Sequence, residues 1–296
     1  MDGVIVAGGN GSGNAFNQLS YPLGFSVDEA GTLYIADWNN SRIVEWKQEA
    51  KFGTVVAGDN GRGDRNDQFH YVTDVIVDKN RNCLYICDLE NKRIVEWSRR
   101  GATSGKTIIK GAMCYGFTMD EDGFLYICDF ERHEVRKWKI GDTQGTLVAG
   151  GKGMGDELDQ LNCPVSVAVD QNYSVYVSDQ RNHRVVKWIA CMDRGKLVAG
   201  DGKVGKTLSQ LWNPQKILVD QFGTIIIADS GNNRVIRWKK DAKEGTIVVG
   251  GRRKDSEEHQ LDSPIGLSLD SNGNLYVSEW QSHRVQKFEI DNSIFS

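Results

Sequence analysis

The chain has 296 residues, 26% charged and 39% hydrophobic, with 33 Gly, only 4 Pro and 8 Trp. A net charge of −4 and an isoelectric point near 5.8 leave no global basic field to draw in nucleic acid or anionic lipid. No apolar run approaches the roughly 20 residues of a membrane-spanning helix, and Gly3 to Gly8 reads as part of the repeat described next rather than as a signal peptide.

From the N-terminus, Gly3–Ala7 is a short β-branched run followed by the glycine-rich loop GGNGSG. Four comparable runs follow, near Gly24–Val27, Leu33–Ala36, Arg42–Trp46 and Gly53–Ala57, each four or five residues long and bounded by Gly, Asn or Asp. Such short runs, rich in β-branched and aromatic residues, are strands rather than helices. The set then recurs. LYIADWNNSRIVEW, LYICDLENKRIVEW, LYICDFERHEVRKW, VYVSDQRNHRVVKW, IIIADSGNNRVIRW and LYVSEWQSHRVQKF place an acid at 37, 88, 129, 179, 229 and 279, in steps of 51, 41, 50, 50 and 50. Each block follows a short apolar segment ending in Asp: Asp28, Asp78, Asp120, Asp170, Asp220 and Asp270.

Four strands per repeat and six repeats predict an all-β fold, a six-bladed propeller of four-stranded antiparallel blades. The fourth-strand motif occurs at 53–57, 106–110, 145–149, 195–199 and 245–249, one short of six. Gly3–Ala7 supplies the missing copy, so it is expected beside Arg284–Phe288 in the last blade. Residues 1–296 then read as a single propeller domain, monomeric, and either excised from or appended to a longer protein.

Two columns read as structural. Trp46, Trp97, Trp138, Trp188, Trp238 and Phe288 end the third strands and are expected to pack between blades. Asp37–Arg42, Asp88–Arg93, Asp179–Arg184, Asp229–Arg234 and Glu279–Arg284 share one spacing, and an acid with an Arg at every such turn points to a charge-assisted clamp. The six cysteines, Cys83, Cys87, Cys114, Cys128, Cys163 and Cys191, form no CxxC pair. Cys87 and Cys128 share a column with Ala36, Ser178, Ala228 and Ser278, which predicts small buried residues, reduced thiols and a cytoplasmic setting.

The pattern from Val148-Ala149-Gly150 through Trp188 resembles NHL-repeat propellers, and the resemblance covers essentially the whole chain. It implies an interaction module, usually appended to other domains, with RNA-binding members. Related six-bladed folds include metal-dependent lyases and lactonases. A lyase centre needs converging His ligands, yet His133, His183 and His283 share one turn column on separate blades, and His70 and His259 lie in other loops. A lactonase-like centre needs converging carboxylates and amides; the available candidates are Asp74, Asn162, Asn213 and Asp262, with Lys216 in the same first-strand column as Asp74. No cofactor is expected. The connecting loops sum to no positive charge, which disfavours RNA.

Departures from the repeat mark the expected partner site. After the repeated acid stand Trp38, Leu89, Phe130, Gln180, Ser230 and Trp280, so the last, first, second and third blades all carry large apolar residues there. Tyr21, Tyr71 and Tyr115 lie on the same side, and together these residues predict an aromatic surface for a protein or peptide, or for a carbohydrate stacked on Trp38 and Trp280. In the third blade the preceding loop is about ten residues shorter, Cys114 replaces the residue type of Pro22, and Glu134 replaces the clamp Arg. Beside Asp129, Glu134 predicts an acidic notch for a basic residue of the partner, unless Arg132 or Arg136 compensates.

Overall fold

The computed structural model describes residues 3–190, 192–251 and 261–290. These form a six-bladed β-propeller of four-stranded antiparallel sheets. β1 is Val4–Gly8. The first blade is β2 (Pro22–Val27), β3 (Leu33–Asp37), β4 (Arg42–Trp46) and β5 (Thr54–Gly58); the second is β6 (Val72–Asp78), β7 (Cys83–Asp88), β8 (Arg93–Ser98) and β9 (Lys106–Lys110). The third is β10 (Cys114–Met119), β11 (Leu125–Asp129), β12 (Glu134–Trp138) and β13 (Thr146–Gly150), and the fourth β14 (Pro164–Val169), β15 (Val175–Asp179), β16 (Arg184–Trp188) and β17 (Lys196–Ala199). The fifth is β18 (Pro214–Val219), β19 (Ile225–Asp229), β20 (Arg234–Trp238) and β21 (Thr246–Gly250). The sixth has the order β1-β24-β23-β22, with β22 (Pro264–Leu269), β23 (Leu275–Glu279) and β24 (Arg284–Phe288). By contact density the chain divides into two compact units, Met1–Cys114 with Ile265–Asp291, and Tyr115–Pro264.

The expected placement of the N-terminal run holds. β1 pairs with β24 from Val4↔Lys287 to Gly8↔Arg284, with a register shift between Ile5 and Ala7. The first blade has the equivalent shift between β4 and β5, at Ile43/Val44, and the fifth at Val235/Ile236. β1 therefore carries the irregularity of every other outer strand. First strands begin earlier than the apolar pattern suggests, because Pro22 pairs with Asp37 across a further bulge.

The repeated Asp after each first strand builds the next turn. Asp28 Oδ1 accepts the N–H groups of Ala30 and Thr32, each at 3.0 Å, a side-chain mimic of a backbone turn. The third-strand aromatics pack between blades as expected. Trp46 lies in a cluster with Leu33 and Ile35 of its own blade and Tyr276 and Val285 of the sixth; Trp238 lies with Tyr176 and Val185 of the fourth.

The acid–Arg pairs are clamps on the loop that enters each blade. Arg42 Nε donates to Asp37 at 2.8 Å, and Arg93, Arg184 and Arg234 donate to Asp88, Asp179 and Asp229 at 2.7 Å. The rest of each guanidinium reaches loop carbonyls: Arg234 donates to the backbone oxygens of Lys206, Thr207 and Gln210. The other carboxylate oxygen accepts a backbone N–H just before the first strand, as Asp37 does from Ser20 at 2.7 Å. Burial pushes the carboxyls of Asp37, Asp88, Asp179 and Asp229 up from their ordinary range, against the pull of these hydrogen bonds and of the paired Arg. The third blade lacks that Arg because it lacks the loop. Only residues 111–113 separate β9 from β10, against 59–71 between β5 and β6.

Candidate functional site

Each turn between second and third strands ends on a residue in left-handed backbone conformation: Ser41, Lys92, His133, His183, Asn233 and His283. Five of the six have side chains that can accept a hydrogen bond, and all five take one from the N–H that precedes the next blade. His283 Nδ1 accepts from Tyr21 at 3.1 Å, Ser41 Oγ from Tyr71 at 3.2 Å, and His133 Nδ1 from Cys163 at 3.1 Å. His183 Nδ1 accepts from Asn213 at 3.2 Å and Asn233 Oδ1 from Ser263 at 2.9 Å. The histidines of this column are thus blade-to-blade latches.

Two of these latches set the candidate site, which lies in the first unit. Tyr21 and Tyr71 both have positive φ, 55° and 62°, which turns their side chains toward the turns bearing Trp280 and Trp38. The Tyr21 ring lies 4.7 Å from Trp280, 6.4 Å from Trp38 and edge-on to His283 at 4.6 Å. Trp38 stacks on Tyr71 at 4.3 Å with planes 13° apart, and sits 5.1 Å from Trp280. Arg62 covers Tyr71 at 4.4 Å, donates to its hydroxyl, and also donates to Asn39 Oδ1. All four rings are partly exposed. Sequence reasoning identified the rings but missed Arg62, Ser41 and His283. The available signal was the shared acceptor chemistry of Ser, His and Asn in one turn column.

The other expected members lie elsewhere. Leu89 is 9% exposed and packs inward, so it adds nothing to an exposed surface. Phe130 stacks on Tyr115 at 5.6 Å within the second unit. Asp129 and Glu134 pair across β11 and β12, both buried. Their charge is met from within: Arg136 Nε donates to Glu134 at 2.6 Å, and Arg132 reaches Asp129 through its backbone N–H at 3.0 Å and its guanidinium at 3.5 Å. The expected acidic notch for a basic ligand residue is therefore corrected. Glu134 took the Arg position where no loop remained to be clamped, and Arg136 neutralises it.

Asp74 is buried in the first unit, its carboxylate accepting the N–H of Val75. Asn162 and Asn213, in the second unit, spend their backbone N–H groups on Asp179 and His183, and Asp262 is exposed. Among the described residues no three His, Cys, Asp or Glu side chains come together as metal ligands. His259 and Cys191 lie outside the described residues. The reading of the cysteines as thiols is corrected at one pair: Cys87 of β7 is disulfide-bonded to Cys114, with Cα atoms 5.7 Å apart. Lys92, whose ammonium has no acceptor to offer, occupies the latch column of the same blade.

Residues 19–46, 161–188 and 261–288 match the NHL repeat family. A structural genomics protein of unknown function from Bacteroides thetaiotaomicron is similar in fold, with a TM-score of 0.77, 16% identity and coverage of 97% of this chain and 75% of that one. A streptogramin B lyase (TM-score 0.60, 13% identity, 94% and 97% covered) and a gluconolactonase from Xanthomonas campestris (0.67, 12%, 92% and 86%) are similar too. At these identities the likeness speaks for the fold alone. No curated protein matches the sequence.

Proposed function

The chain is an NHL-repeat β-propeller, and from that premise we propose that it is a non-catalytic interaction module receiving a protein or peptide segment on the cluster of Tyr21, Trp38, Tyr71 and Trp280. The observation that carries the reading is four partly exposed aromatic rings, from three consecutive blades of one unit, in mutual contact. Aromatic anchors gathered in one patch dominate binding energy at protein interfaces.

Geometry also favours a peptide over the other ligands an aromatic surface can take. A caged ammonium needs space between ring faces, because the cation sits up to about 6 Å from each centroid. Here neighbouring centroids are 4.3 to 6.4 Å apart, so the rings fill that space themselves. A sugar stacked on Trp38 competes with Tyr71, which already covers one face of that indole at 4.3 Å with planes 13° apart. Similar folds include a lyase, a gluconolactonase and an auxiliary nutrient binding protein. One fold hosts all three, so the site must decide.

Peptide-display selection on the intact protein tests the proposal. Selected peptides should bind the double variant Trp38→Ala/Trp280→Ala at least about a hundredfold more weakly, since two anchor residues at roughly 2 kcal/mol each are lost. Selection of only variant-insensitive peptides, or patch-dependent hits on a glycan array instead, would sink it.

A further inference from the structure

Accepting the cluster as a peptide site, we propose that its ligand is a proline-rich segment in polyproline II conformation. The inference comes from what the cluster leaves unsatisfied. Among the buried indoles, those of the first and fifth blades spend their N–H groups internally, Trp46 Nε1 donating to Ala50 O at 2.8 Å and Trp238 Nε1 to Ala242 O at 2.9 Å, while Trp97 and Trp138 are sealed away with theirs unpaired, out of a ligand's reach. Trp38 and Trp280 differ. Neither indole N–H has a hydrogen-bond partner among the described residues, and neither is among the fully buried polar atoms without one, so both keep some access to solvent. The Tyr21 hydroxyl likewise has no hydrogen-bond partner among the described residues.

The nearby acceptors, by contrast, are used. Asn39 Oδ1 takes Arg62 Nη2 at 3.0 Å, and Ser20 Oγ takes Asn39 Nδ2 at 3.0 Å. An indole is a donor only. The surface therefore offers donor-only indoles on an apolar field and, beyond the Tyr21 hydroxyl, which can donate or accept, has few acceptors to give in return. A well-matched ligand brings carbonyl oxygens and apolar bulk with few N–H groups of its own, because each donor it buried here would go unpaired. Proline fits that requirement: it keeps the backbone carbonyl, has no N–H, and presents a flat apolar ring. Its backbone is already extended, so docking costs little conformational entropy, and aromatic-lined surfaces elsewhere exploit this. Spacing is compatible as well. Trp38 and Trp280 have centroids 5.1 Å apart, close to the roughly 6 Å that two polyproline II residues span.

The test is a titration of the ¹⁵N-labelled protein with acetylated, amidated decaproline, alongside a Gly-Ser peptide of equal length. Indole N–H signals are assigned from the Trp38→Phe and Trp280→Phe variants, which keep an aromatic ring and lose the donor. Decaproline should move both indole signals saturably and the Gly-Ser peptide should not. Each Phe variant should weaken binding roughly five- to tenfold, the worth of one hydrogen bond. Unmoved indole signals, or Phe variants that bind as well as the wild type, overturn the proline inference. If display selection then still returns patch-dependent peptides of other composition, the peptide-site reading survives; if it returns none, both fall.

Discussion

Asp220 carries a buried carboxylate oxygen, Oδ2, with no hydrogen-bond partner. Two positions differ from the other blades: Arg237 stands where the third, fourth and sixth blades place a Lys against this oxygen, and a tyrosine is missing. In four other blades a tyrosine hydroxyl meets the equivalent atom, from Tyr85, Tyr126, Tyr176 and Tyr276 at 3.1 to 3.3 Å, whereas the fifth blade has Ile226 at that position. A buried acceptor left unpaired costs about 1–3 kcal/mol. Ile226→Tyr should recover part of that, and Ile226→Phe, which adds the ring without the hydroxyl, should not. Urea unfolding of the two variants should separate them by about 1 kcal/mol in favour of Tyr; equal stabilities would mean that the hydroxyl does not reach Asp220. The sequence shows that Ile226 breaks a column of tyrosines, but not that this column's partner is the turn Asp six residues earlier. The same limit applies to Leu89. Alignment with Trp38 and Trp280 placed it on the surface, yet a shorter side chain at that position folds down and is covered.

Secondary-structure elements were legible wherever a period carried them, and their ties were not. Ser, His and Asn in one turn column read as residues that tolerate left-handed backbone; that they are also acceptors for the next blade depends on contacts 30 residues away along the chain in four cases and 262 away for His283 and Tyr21. The latches have a consequence at acid pH. His183 can accept the Asn213 N–H only while Nδ1 is unprotonated. Burial holds its pKa below the ordinary histidine value, with Arg181 pulling the same way and Asp229 and Asp179 pulling back. The folded state thus binds this proton more weakly than the unfolded chain. Its stabilising contribution is complete above the unfolded value, about 6.5, and is lost as pH falls from there through the lower folded value. His183→Asn supplies a non-titrating acceptor in the geometry Asn233 already uses. Urea midpoints measured from about pH 7.5 to about pH 5 should fall less steeply for this variant than for the wild type. Parallel slopes would show that the latch does not sense protons.

At the scale of the whole chain, one strand does the work of a closing element, since the sixth blade is complete only when β1 lies against β24. This was legible from a count: five fourth-strand motifs for six blades, and a sixth at the front. The register could not be counted from sequence, and it shows how β1 earns its place. Val4 and Ile5 are exposed while Ala7 is buried in the cluster holding Trp46 and Tyr276, so the strand contributes one inward anchor and a hydrogen-bonded edge. Deleting residues 1–8 removes the pairing from Val4↔Lys287 to Gly8↔Arg284 and uncovers the outer edge of β24. Three or so net hydrogen bonds at about 1 kcal/mol each predict a loss of roughly 3 kcal/mol, and an uncovered edge invites pairing with another chain. The truncated protein should therefore melt lower and associate with rising concentration in sedimentation, and a synthetic peptide of residues 3–9 added in trans should reverse both. The peptide's success distinguishes a missing strand from general damage to the fold. If the truncated protein stays monomeric with an unchanged melting temperature, β24 does not need its partner.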